Sequence, residues 1–151
     1  MGFNTGDNIT LTYFNPTLNT TFAGPTAAIV NNSSADDFEF TNFAGGLFDL
    51  DVDFDTVTVV FRTGFTFGTN PFNGWVLGYS SSQTGGAIQS ATPSTVSNNI
   101  VTTFNNLNLS VNWSGYTPTV GSRITWRVFP PQSIASPLVV PTGNINERTG
   151  I

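Results

Sequence analysis

Residues 47–54 read Leu-Phe-Asp-Leu-Asp-Val-Asp-Phe. On an extended backbone successive side chains point to opposite faces. Phe48, Leu50, Val52 and Phe54 therefore share one face, and Asp49, Asp51 and Asp53 share the other. This period of two recurs along the chain. Residues 8–14 alternate polar and apolar and stop at Asn15-Pro16. Residues 21–30 form a second candidate strand, with Gly24-Pro25 as a bend, and residues 37–43 a third, broken by Gly45-Gly46. Residues 57–62 are a β-branched run that reads as a buried strand. Residues 65–67 are a short candidate, 74–79 a strand and 80–86 a loop. Residues 87–90 and 100–104 are weaker strands. Residues 107–113 alternate well, and residues 122–129 close the set before Pro130-Pro131. Good helix formers are scarce, and no window shows an apolar period of 3.6.

Some nine or ten short strands, with turn signals about every dozen residues, predict an all-β fold: an antiparallel, jelly-roll-like β-sandwich. The predicted domain spans residues 1–129. Residues 130–151 contain Pro130, Pro131, Pro137 and Pro141. They are expected to form an extended, Pro-rich C-terminal arm that packs along a neighbouring subunit.

The polar positions are filled by Asn, Thr, Ser and Gly. Charged residues make up 9% of the chain, and there is no His, Cys or Lys. The low charge does not indicate disorder, because 38% of residues are hydrophobic and 14 are Phe. Without His there is no Ser-His-Asp triad, and without Lys no Ser-Lys dyad. Without Cys there is no disulfide framework. A formal net charge of -5 with only four Lys and Arg together cannot line a groove for phosphate backbones, so nucleic acid is not an expected partner. No apolar run reaches the roughly 18 residues of a membrane span. Residues 1–7 show no basic region followed by an apolar stretch, so no signal peptide is read in this numbering. The composition predicts a protein that holds, packs or displays, not an enzyme.

Two clusters remain as candidate sites. Seven of the nine carboxylates fall between Asp36 and Asp55. Within them, Asp49, Asp51, Asp53 and Asp55 form a candidate calcium site, since hard oxygen ligands suit calcium. The match to a calcium loop is poor, with Phe54 where Gly is needed and Val60 where Glu is needed. The competing reading is a solvent-facing strand whose charges keep the sheet soluble. Arg123 and Arg127 share a face of the last strand and are candidate partners for the Asp row. No other cofactor is implied. Among the aromatics, Trp75, Trp113 and Tyr116 are candidates for a sugar-stacking platform. Trp75 and Trp126 also sit in phase with apolar neighbours, as core residues would. Tyr116, in the turn Ser114-Gly115-Tyr116-Thr117-Pro118, is the better candidate for an exposed contact.

Residues 72–77 (Phe-Asn-Gly-Trp-Val-Leu) and 109–116 (Leu-Ser-Val-Asn-Trp-Ser-Gly-Tyr) are similar to paired strands of small exported bacterial proteins that often carry PEP-CTERM sorting tails. Gly6-Asp7-Asn8-Ile9, with Tyr13, Pro16 and Thr20, resembles their opening strand. The resemblance spreads over residues 6–129. It implies a β-sandwich surface domain and carries over no catalytic residue. Residues 144–151 lack the Pro-Glu-Pro signal, membrane span and basic tail of that group. The expected function is structural or adhesive, on an extracellular or particle surface, with the protein itself or other surface or virion subunits as partners. The alternatives are a virion (capsid or tail) decoration protein and a carbohydrate-binding module with glycan partners.

Overall fold

The alternating strands pair into two antiparallel sheets of five strands each, stacked on one apolar core. A computed structural model describes residues 2–33, 36–80 and 88–129. The strands are β1 (Asn8–Phe14), β2 (Thr21–Ile29), β3 (Phe40–Asn42), β4 (Phe48–Val52), β5 (Thr56–Phe61), β6 (Gly74–Ser80), β7 (Thr92–Pro93), β8 (Val101–Asn105), β9 (Asn108–Asn112) and β10 (Arg123–Arg127). One sheet has the order β2-β1-β6-β9-β8, the other β3-β4-β5-β10-β7. A single irregular turn, α1 (Phe43–Gly46), is the only helical segment among the described residues, and it is broken by left-handed Ala44 and Gly45. The expected loop at residues 80–86 lies, after Ser80, outside the described residues, as does the expected arm at residues 130–151.

The pleat decides what is buried. In the first sheet, register places Leu11, Leu77, Leu109 and Phe104 in one inward row, and Tyr13, Trp75 and Val111 in the next. In the second, Leu50, Val59 and Ile124 form a row, followed by Val52, Val57 and Trp126. Trp75, Trp113 and Trp126 are fully buried between the sheets. Trp75 and Trp126 meet edge to face at 5.3 Å.

Buried aromatics usually pair their polar atoms; Trp75 Nε1 has no partner among the described residues, but Trp113 and Tyr13 share a network. Trp113 Nε1 donates to Tyr13 Oη (2.7 Å), and Tyr13 Oη donates to Asn73 Oδ1 (2.6 Å). Asn73 Nδ2 donates to the Gly68 carbonyl, and Asn73 N to Asn112 Oδ1. Burial pushes the Tyr13 phenol up from its ordinary value. Beside this network β6 passes so close to β9 that a Cβ at Gly74 would stand 1.9 Å from the Val111 carbonyl oxygen. Only glycine fits there. The residues behind the sequence resemblance, Asn73, Gly74, Asn112 and Trp113, thus meet where β6 and β9 pair, with Asn73, Gly74 and Trp113 buried and Asn112 partly exposed. Their role there is packing and hydrogen-bond satisfaction.

Candidate functional site

Outward-facing residues differ sharply between the sheets. On the first sheet register aligns Thr10, Gly78, Asn108 and Asn105, then Thr12, Val76, Ser110 and Thr103. No strand of this sheet contains a charged residue, and none occurs anywhere from Thr63 to Ser122. Among the described residues the charged side chains belong to the second sheet and to the loops.

The acidic cluster sits on β4, where the expectation of a solvent-facing Asp row is overturned. Asp49 and Asp51 are 4% and 3% exposed. Residues on either side of positions 34–35 fold across the outer side of the second sheet. Glu39 anchors that cover: its Oε1 accepts from Asn31 N (2.8 Å), and its Oε2 from Val52 N (2.7 Å). β3 is only three residues long, so the Glu39 carboxylate satisfies a β4 donor that no β3 residue reaches. Arg123 clamps the same cover from β10 by a two-pronged pair to Asp36 (2.6 and 3.0 Å). Asp37 accepts from Asn31 Nδ2 and from Ser33 Oγ.

This arrangement divides the four carboxylates of the candidate calcium site. Asp49 accepts from Arg62 Nε (2.7 Å) and Asn42 N (2.7 Å). Asp55 pairs with Arg127 at 2.8 Å. Asp51 and Asp53 remain, with Glu39 as the neighbour that the sequence reading missed. Asp51 Oδ1 is buried without a hydrogen-bond partner among the described residues. Burial, then the charges of Asp53 and Glu39, push the Asp51 carboxyl up to about 7. Burial raises Glu39 and Asp53 as well. Hydrogen bonding from Arg123 holds Asp36 below its ordinary value. Among the described residues no three acidic side chains converge to hold a metal ion. The expected pairing of β10 arginines with the Asp row is met only by Arg127 with Asp55. β10 lies beside β5, one strand removed from β4.

The aromatic platform does not assemble either. Trp75 and Trp113 are 0% exposed, so neither presents a face to a ligand. Their period-two phase places them on the inward side with Leu77 and Val111. Tyr116 is half-buried against Phe61, with ring centroids 5.8 Å apart. The exposed aromatics are others: Phe22, Phe54, Phe65 and Phe104. One concavity that sequence reasoning missed lies on the neutral sheet. A groove of about 260 Å³ is lined by Asn8, Thr10, Gly78, Ser80, Leu107 and Asn108. Gly78 opens it, since a Cβ there would come within 2.8 Å of Thr10 Oγ1. No protein-family model, curated protein or solved structure matches the chain.

Proposed function

We propose that this protein is a non-enzymatic structural module that assembles with itself, or decorates an extracellular or particle surface such as a virion. The observation that carries this reading is the division of charge between the sheets. A chain of net charge -5 keeps one whole sheet neutral, with Thr, Asn and Ser on its outer side. Such a sheet meets a second copy, or a particle, without like-charge repulsion or the cost of desolvating ions. The composition agrees, since without His, Cys or Lys the chain has neither a Ser-His nor a Ser-Lys pair to activate a nucleophile. The test is sedimentation velocity over a wide concentration range, with electron microscopy of the concentrated protein. Concentration-dependent association supports the proposal; a monomer throughout overturns self-assembly.

The groove beside Gly78 favours a second reading, a site for a neutral glycan. Asn8, Thr10 and Ser80 offer amide and hydroxyl groups there, and Leu107 offers an apolar wall. Glycan-array binding that disappears in Asn8→Ala and Thr10→Ala, and persists in Tyr116→Ala, would move the function to this groove.

A further inference from the structure

A sheet edge leaves backbone N–H and C=O groups free to pair with another strand, and proteins blunt their edges to prevent this. Three of the four edges here are blunted. β2 contains Pro25 and a break in register between Leu11 and Phe14. β3 spans three residues, and β7 spans two, one of them Pro93. β8 is different. It pairs with β9 at all five positions without a bulge, and it contains neither proline nor charge.

Its side chains point the same way. Phe104 ends the inward row Leu11-Leu77-Leu109-Phe104, yet it is 47% exposed, because no described strand follows it. Val101, at the other end of the strand, is 54% exposed. A further strand laid beside β8 would cover both.

We propose that the β8 edge is the contact through which two copies of this chain join, the two β8 strands pairing antiparallel across a two-fold axis. The inference rests on the self-assembly reading above and deepens it by naming the surface. Full overlap of residues 101–105 with their copy places Thr103 opposite Thr103 and merges two neutral sheets into one of ten strands. The two-fold contact uses the same edge of both copies and closes on itself. The neutrality of the first sheet argues for a second copy as occupant. Two chains of net charge -5 repel at most surfaces, but no strand of the sheet that carries β8 holds a charged residue.

Thr103 faces outward and is exposed, so Thr103→Lys sets two ammonium groups against each other without disturbing the core. Sedimentation velocity should show self-association weakened at least about tenfold in Kd. The same charge on the blunted edge at the outward-facing, exposed Ala27, Ala27→Lys, should leave association as in the wild type. The chain has no cysteine, so Thr103→Cys should cross-link to a covalent dimer on mild oxidation, the opposed Cα atoms lying within disulfide reach. Circular dichroism checks that each variant folds, and the cross-link decides the matter should Thr103→Lys fail to fold. Wild-type association with neither a Thr103→Lys effect nor a Thr103→Cys dimer would overturn the edge contact and leave the assembly reading standing. A wild-type monomer at every concentration would remove the assembly reading, and this contact with it.

Discussion

At Asp51, burial and two like charges act in the same direction. The native carboxyl titrates near 7, against an ordinary value of 3.8. Between these values the folded chain holds a proton that the unfolded chain has released. Stability therefore falls as pH rises through this window, and it is flat on either side as far as Asp51 alone is concerned. Glu39 and Asp53 are raised too and add to the same slope. Asp51→Asn removes the titration and supplies an amide donor for the neighbouring carboxylates. Thermal melts at pH 5 and pH 8 should show the wild type losing stability at pH 8 and the variant melting higher there; a variant melting lower would refute this account. Tyr13 offers a second test. Tyr13→Phe deletes the hydroxyl between Trp113 Nε1 and Asn73 Oδ1 and strands two buried polar atoms. Chemical denaturation should register a loss of about 2 kcal/mol or more. At this scale the sequence was half legible. Period-two phase put Trp75 beside Leu77 and Trp126 between Ile124 and Val128, and all are buried. Phase could not show that Asp49 and Asp51 would be buried too, because their cover comes from a segment outside the strand.

That cover is best treated as an element in its own right. Its hold on β4 runs through Glu39, whose two oxygens bond Asn31 N and Val52 N. Glu39→Ala removes both bonds, but it also removes a charge that opposes Asp51. The two effects on global stability have opposite signs, so the midpoint of unfolding should move little. Amide exchange should separate them: protection should fall at Asn31 and Val52 while the β5 and β6 amides keep theirs. Protection unchanged at Asn31 would mean that Glu39 is not the anchor. The strand ladders themselves were largely readable. β1, β4, β6, β8, β9 and β10 fall within a residue or two of the strands read from the sequence; β1, β9 and β10 bury alternate residues, whereas β4 is buried throughout and β8 hardly at all. Residues 65–67 alternate equally well and form no strand. Phe67 exchanges single bonds with Tyr116 and Gly115, and no ladder extends from them. Residues 88–90 fail similarly, with Gln89 N and Ser90 N both turned to the Val128 carbonyl. β7, at two residues, is too short to leave a periodic trace.

For the whole molecule, the decisive property is where the charges are not. The last buried side chains of the described fold are Val128 and Phe129, and Val128 N is bonded to the Asp55 carbonyl. A chain ending at Phe129 keeps every residue of the described core, and its melt beside that of residues 1–151 measures what residues 130–151 add to stability. A loss of assembly in that truncation, with folding intact, would implicate residues 130–151 in contacts between copies. The charge division makes a separate prediction about salt. If copies join through the neutral sheet, no ion pair is made at the contact, and the net charges of the two chains oppose their approach at long range. Added salt shortens the screening length from about 30 Å at 0.01 M to about 8 Å at 0.15 M. Association should thus tighten modestly over that range, by less than about tenfold, and then level off. A contact built on the arginines of β10 and the acidic residues around β4 would do the reverse, weakening steadily as salt screens its attractions. Sedimentation velocity across a salt series measures the sign directly. A steady weakening would place the contact on the charged sheet and exclude the neutral one.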